Sequence, residues 1–306
     1  MRAVVFHRYG GPENLVVEDV PEPKVAPAEV LIEVRAAGVN PVDWKLAAGG
    51  LDGMMETHFP VIPGWDVAGV VTAVGLDSGE FVPGDEVFGY IRKDEVQHGA
   101  YAERVSANVR MLAKKPSALG WVEAAGLPLA GLTAYQALRR ANVSDGDTVL
   151  IHAAAGGVGS LAVQIAIAFG ARVIGTASER NHDFVRSLGG EPVRYGEGLE
   201  ARVRELASDG VRAAFDFVGG GVVELSQRLV SDPARVVSIA DPNAAARGSG
   251  YLWVRPSGEG LAELAALAQD GKLRVPVDRT FPLEQAAEAW RASQTERTRG
   301  KLVLTT

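Results

Sequence analysis

The stretch TVLIHAAAGGVGSLAVQIAIAFG, residues 148–170, decides the fold. A β-branched and apolar run leads into three glycines within four positions, Gly156, Gly157 and Gly159, and a second apolar run follows. The order is strand, glycine-rich turn, helix. Glycine that dense gives up chain order, so something must approach this backbone closely to offset the cost. Against the spacing G-x-G-x-x-G the slots are Ala154, Gly156 and Gly159, with alanine in the first. A dinucleotide asks for this combination: a tight turn, bare backbone beside the pyrophosphate, and a helix packed closely on its strand. The helix N-terminus then offers unpaired N–H groups and a partial positive charge to the phosphates. Ala154, Gly156, Gly157, Val158 and Gly159 are the expected pyrophosphate residues, and His152 reads as a strand residue.

A glycine pattern alone is weak, and the surroundings strengthen it. After TVLIHA and a helix over 159–169 come strand RVIGTA, helix NHDFVRSLGG, strand PVRY, helix LEARVRELAS, strand AAFDFV, helix VVELSQRLV and strand RVVSIA. Two βαβ-type halves imply an α/β fold, a doubly wound parallel sheet with helices on both faces. Gly189 stands where a helix C-terminal cap is expected.

The type of dinucleotide is read at the end of the second strand, in VIGTASERN. An acidic residue about 20 positions past the glycines would grip a ribose 2′-OH and select NAD. Ala177 stands there instead, followed by Ser178 and Arg180. A hydroxyl and a guanidinium suit a 2′-phosphate, and strand alternation should carry Glu179 away from the site. The expected cofactor is NADPH. The alternative is that Arg180 is a solvated residue at a helix start.

Composition narrows the partners. The 306 residues suggest two domains, and a hydrophobic fraction of 47% is that of a globular chain with a sizeable core. A net charge of −7 with no basic block argues against nucleic acid or an anionic membrane surface. Cysteine is absent, which removes disulfides, thiolate nucleophiles and every cysteine-containing zinc site. AVVF near the start is too short for a signal-peptide core, and LAVQIAIAF (161–169) is about half a membrane span. A cytoplasmic protein is expected.

The first third is β-rich: AVVF, NLVVEDV, EVLIEVRAAGV and DVAGVVTAVG are Val/Ile-rich runs punctuated by Pro and Gly. GWVEAAGLPLAGLTAYQALRRAN (120–142) carries apolar residues at helical spacing. In the tail, LAELAALAQDGKL reads as a helix closed by Gly271, then VPVDRTFPL, a helix EQAAEAWRAS and a strand KLVLTT. That return to strands suggests packing back on the first domain.

Jointly, AAGVNPVDWKLAAGG (36–50), PVIPGWDVAGVVTAVG (60–75), GDEVFGY and HGAYAERV (84–105), LPLAGLTAYQAL (127–138), AAAGGVG, DFVGG and the closing GKLVL resemble the zinc-free quinone oxidoreductase branch of the medium-chain dehydrogenase/reductase superfamily. The likeness covers nearly the whole chain in the family's order. It implies a GroES-like β-rich domain over 1–120, completed by 257–306, and a Rossmann domain over 121–256, with the active site in the cleft between them. By family pattern Asn40 and Thr133 would lie near the nicotinamide and Tyr195 near the adenosine phosphate. Val218, Ile239, Ala240, Leu252 and Trp253 would wall the nicotinamide pocket. Relatives commonly dimerise through the edge of the Rossmann sheet, so a homodimer is expected by analogy.

Where zinc-dependent relatives place Cys and His-Glu ligands, this chain has Asn40 and the pair Trp65 and Asp66, and the third position falls in PLAG. One carboxylate without imidazole or thiolate partners cannot hold a catalytic zinc, so no metal is expected. What remains is hydride transfer from NADPH to an acceptor needing little activation, a quinone or an α,β-unsaturated carbonyl. A donor stabilising the forming oxyanion would help, and Lys45 is the candidate, its alternative being a plain surface lysine. Trp44, Trp65 and Tyr90, with Trp253, could line a pocket for flat ligands, or each could fill the core. Asp43 and Asp66 read as loop-orienting residues. The alternative function is an NADPH-binding sensor with little turnover.

Overall fold

A computed structural model describes all residues, Met1–Thr306. The chain opens with strands β1 (Arg2–Val5), β2 (Val16–Asp19) and β3 (Glu29–Val39) and helix α1 (Pro41–Ala47). Strands β4 (Glu56–Ile62), β5 (Asp66–Val74), β6 (Glu86–Tyr90), β7 (Glu95–His98), β8 (Arg104–Asn108) and β9 (Leu112–Lys114) follow. Helices α2 (Trp121–Gly126) and α3 (Pro128–Arg140) lead to β10 (Thr148–Ile151), α4 (Gly157–Ala168), β11 (Arg172–Ala177) and α5 (His182–Ser187). The alternation continues through β12 (Glu191–Arg194), α6 (Leu199–Leu206), β13 (Ala213–Asp216), α7 (Val222–Leu229), β14 (Val236–Ser238) and β15 (Gly250–Tyr251). Helix α8 (Gly258–Gln269), β16 (Val277–Pro282), α9 (Ala286–Gln294) and β17 (Lys301–Thr305) complete the chain.

Two compact units result. The first is Met1–Leu129 with Pro256–Gln269 and Val275–Thr306, and the second is Ala130–Arg255 with Asp270–Arg274. The division therefore falls after Leu129 rather than after residue 120. Helix α2 packs on β3, β5 and β17, which keeps it with the first unit. The segment 270–274, expected in the first domain, joins the second. Gln164 holds it there, donating to the Arg274 carbonyl at 3.0 Å and accepting the Arg274 N–H at 2.9 Å.

The first unit is built on a sheet in the order β16-β17-β3-β5-β6-β9, with β8 also paired to β3. Strand β17 runs antiparallel beside β3, with Leu302 opposite Val39, so the tail strand does return to the N-terminal sheet. One buried face of this sheet carries Ile32, Val34, Val67, Val71, Leu302 and Leu304, and Phe88 is buried on the other. The helical stretch read over 120–142 is two helices, broken before Pro128, whose ring cannot continue α2.

The second unit is a six-stranded parallel sheet in the order β12-β11-β10-β13-β14-β15. The chain winds outward from β10 in one direction, then crosses back and winds outward in the other. This is the doubly wound Rossmann order, whose switch point lies between β10 and β13. Leu150, Ile174, Val193, Val203, Val223 and Val236 form a contiguous core on one face. No helix in the chain is long and apolar enough to cross a membrane.

Candidate functional site

In the second unit the sequence-selected residues, apart from Thr133 on α3, follow the carboxyl ends of parallel strands. The glycine turn follows β10, Ser178 and Arg180 follow β11, and Tyr195 follows β12. Val218 follows β13, Ile239 and Ala240 follow β14, and Leu252 and Trp253 follow β15. In an open parallel sheet this edge, at the switch point, is where a ligand binds.

The glycine turn meets the demands of a pyrophosphate. A Cβ on Gly159 would lie 2.1 Å from the Ala153 carbonyl oxygen, so only glycine lets α4 sit this close to its strand. Ala153 itself adopts φ +56°, and Gly156 is the N-cap of α4. The first N–H groups of this 12-residue helix have no intrahelical acceptor and are available to an anion. Ala154 in place of the first glycine has a local reason. It is fully buried, and a Cβ on Gly175 of β11 would come within 2.7 Å of the Ala154 methyl. The methyl fills space that a glycine on the neighbouring strand has vacated.

Beyond β11, Ala177 is buried, Ser178 half-buried, and Glu179 and Arg180 exposed. Tyr195 is exposed. At the other half of the sheet the buried pair Asp216 and Ser238 shapes the loops. Asp216 accepts the Ser238 hydroxyl at 2.7 Å and the N–H groups of Val218 and Gly219 at 2.9 and 2.6 Å. The Ser238 hydroxyl in turn accepts the N–H groups of Ala240 and Asp241. Val218 is thereby left exposed, while Ile239, Leu252 and Trp253 are half-buried and Ala240 is exposed. His152 is buried, its Nε2 2.9 Å from the Ser226 hydroxyl. That hydroxyl donates to the Val222 carbonyl, so the network assigns Nε2 as the donor to Ser226. Burial pushes His152 down to about 4, against the opposing pull of Asp216.

The first unit holds a buried polar cluster at the end of β3. Register explains its assembly: Gly38 of β3 faces Asp66 of β5 on one side, and Val39 faces Leu302 of β17 on the other. Asn40, Asp66 and Lys301 are thus brought side by side. The Lys301 ammonium donates to the Asn40 Oδ1 at 2.5 Å and to the Val39 carbonyl at 3.1 Å, and lies 4.0 Å from Asp66. Asn40 Nδ2 donates to Asp66 at 2.9 Å, and the other Asp66 oxygen accepts the Leu129 N–H, in the first turn of α3, at 2.7 Å. Asp43 reaches back along α1 to the Asn40 N–H at 2.8 Å and accepts the Tyr101 hydroxyl at 2.8 Å. Trp290 Nε1 donates to that hydroxyl at 3.4 Å. Burial pushes the carboxyls of Asp43 and Asp66 up to about 7 and about 6, the nearby Lys301 charge acting against it, and lowers the Lys301 ammonium.

This cluster does not fit a catalytic zinc. The side chains at the expected ligand positions are an amide, an indole and one carboxylate, and that carboxylate already faces a buried ammonium. A second cation there would meet like charge with no imidazole or thiolate to hold it. No group of three or more His, Cys, Asp or Glu gathers elsewhere in the chain.

The remaining candidates are spread out. Trp65 and Tyr90 are buried with ring centroids 6.2 Å apart, and burial raises the Tyr90 hydroxyl. Trp44 is half-buried and tethered by its Nε1 to Ser293 of α9 at 3.2 Å. Lys45 is exposed on α1, its ammonium 5.4 Å from the Trp44 ring centroid. Thr133 is buried on α3, one helical turn beyond Leu129. Lys301, Tyr101 and Asp216 escaped the reading of the sequence. The one available signal was a lysine heading the otherwise apolar strand KLVL.

Comparison with known proteins agrees with this architecture. Residues 26–117 match the family described as Alcohol dehydrogenase GroES-like domain, and residues 188–304 that described as Zinc-binding dehydrogenase. A chloroplast envelope quinone oxidoreductase homolog of Arabidopsis thaliana is 32% identical, the match covering 99% of this chain and 98% of the relative. The chloroplastic NADPH-dependent alkenal/one oxidoreductase of the same plant is 33% identical, over 99% of this chain and 79% of the relative. The solved quinone oxidoreductase from Coxiella burnetii superposes with a TM-score of 0.87 at 34% identity, covering 100% of this chain and 99% of the other.

Proposed function

Because the chain belongs to the quinone oxidoreductase branch of the medium-chain dehydrogenase/reductase superfamily, we propose that it reduces quinones or α,β-unsaturated carbonyls with NADPH and without zinc. The general activity, a quinone or enone reductase, follows from relatives that match over 99% of this chain and are named for it. A sensor with little turnover is not favoured.

The observation that carries the choice of NADPH is the end of β11. Buried Ala177 stands where a carboxylate would bind a ribose 2′-OH, and Ser178, exposed Arg180 and exposed Tyr195 stand around it. The relative named as NADPH-dependent supports the same choice. When bound, a reduced nicotinamide dinucleotide supplies the hydride. The α4 N-terminus with Gly156, Gly157, Val158 and Gly159 would hold the pyrophosphate, and Arg180 would pair with the 2′-phosphate. Val218, Ile239, Ala240, Leu252 and Trp253 would line the nicotinamide end.

Lys301 supplies a fixed positive charge beside Asp66, which lets that carboxylate stay buried while it orients Asn40 and the first turn of α3. A quinone or enone is electron-poor enough to accept hydride without a Lewis acid. Lys45, exposed on α1 and able to exchange with solvent, would supply the accompanying proton.

The test is NADPH oxidation followed across a panel of quinones and enones, with and without a strong metal chelator. Turnover on members of the panel, unchanged by chelation, is expected. NADPH binding with no turnover on any of them would overturn the enzymatic reading, and chelator-sensitive turnover the zinc-free one.

A further inference from the structure

The 2′-phosphate reading leaves one carboxylate to account for. Glu179 lies between Ser178 and Arg180 and is exposed, so strand alternation does not bury it out of the way. A bare carboxylate beside a dianionic phosphate would oppose NADPH and favour a cofactor with a free ribose hydroxyl.

The neighbouring strand supplies a counter-charge. In the parallel register of β11 and β12, Ala177 is paired with Arg194, so Arg194 ends its strand at the level where the ribose would be read. Its Nη1 lies 3.3 Å from the Glu179 Oε1. The ion pair Glu179 makes is thus with Arg194 across the sheet, and Arg180 is not its partner. The Arg194 carbonyl is itself fixed by the Arg202 guanidinium, at 2.8 Å from Nη2 and 3.3 Å from Nε. Arg202 thus holds the Arg194 backbone, and the Arg194 guanidinium engages Glu179. The side chains of the Arg194–Glu179 pair are 66% and 72% exposed, and a pair that wet contributes little to stability. Its effect has to be sought in what binds there.

We propose that Arg194 is a specificity-determining residue, which holds Glu179 in an ion pair and so removes the one carboxylate that would repel a 2′-phosphate. The proposal rests on the NADPH reading above. It adds a residue of the adjacent strand to the site, and it makes the acid in SER compatible with the phosphorylated cofactor only because Arg194 engages it.

The experiment measures dissociation constants for NADPH and NADH by titration of four proteins: wild type, Arg194→Met, Glu179→Gln and the double variant. Arg194→Met should weaken NADPH on the order of tenfold, while leaving NADH within about twofold. Adding Glu179→Gln to Arg194→Met should restore most of the lost NADPH affinity. Thermal unfolding midpoints should stay together, since both residues are exposed. An unchanged NADPH-to-NADH ratio in Arg194→Met, equal losses for both cofactors, or a loss that Glu179→Gln does not restore would each overturn the proposal and leave the NADPH reading standing. A wild type with no preference for NADPH would overturn that reading, and the proposal with it.

Discussion

The Lys301 ammonium and the Asp66 carboxylate lie 4.0 Å apart with both side chains buried, joined through the amide of Asn40, which accepts from one and donates to the other. Removing one partner leaves the other charge stranded in the interior. Lys301→Met should therefore cost about 3–5 kcal/mol of unfolding free energy. Urea denaturation of the variant, at a pH above the value of about 6 to which Asp66 is raised, checks this. A loss near zero would mean that Asp66 is protonated and that the pair is not ionic.

The two buried acids make a prediction about pH. The folded-state values of Asp43 and Asp66 are raised, to about 7 and about 6, so over this range the folded chain holds protons that the unfolded chain releases. Their contribution to stability is fully present below about 4, the unfolded carboxyl value, and is lost as pH rises through 6 to 7. His152 works in the opposite sense. With its folded value depressed to about 4, its contribution is present above about 6.5 and is lost as pH falls towards 4. Asp43→Asn should accordingly remove a fall in stability with rising pH, of up to about 1.4 kcal/mol per pH unit. Denaturation series for wild type and variant between pH 5 and about 7.5 measure the difference. Parallel curves would contradict the buried, proton-holding Asp43.

Arg180→Ala removes a charge-assisted contact to the 2′-phosphate worth roughly 1.5–3 kcal/mol. NADPH affinity should drop on the order of ten- to a hundredfold, with NADH binding nearly unchanged. Equal losses for both cofactors would refute the assignment of Arg180 to the phosphate.

Lys45→Ala should lower kcat on the order of tenfold or more while leaving NADPH affinity within about twofold, because general-acid assistance is of that size or larger. Unchanged turnover would return Lys45 to the surface and leave proton delivery to solvent.

The Rossmann half was legible because its signals are local. The glycine turn, the strand–helix alternation and the βα loop after β11 are each written within a few residues of themselves. Helix α1 was not read, since its seven residues span too few turns to show a period, and the run 120–142 hid a break at Pro128. The buried cluster was harder for a different reason. Asn40 and Lys301 are separated by 261 positions and meet only because β17 pairs with β3. Tyr101 reaches Asp43 over 58 positions, and Arg194 faces Ala177 only once the parallel register is set. Residues of ordinary type, placed by pairings distant in sequence, leave no pattern along the chain. Ala154 shows the same limit at short range, since its reason lies in Gly175 on the next strand.

Hydride transfer from the reduced cofactor to carbon is the central step of the proposed reaction. The decisive measurement incubates the protein with an α,β-unsaturated ketone and NADPH deuterated at the nicotinamide C4, and examines the product by mass spectrometry and NMR. Saturated ketone carrying deuterium at the β-carbon, with the α-hydrogen drawn from solvent, is the predicted result. NADPH consumed while the β-carbon acquires only solvent hydrogen would contradict it.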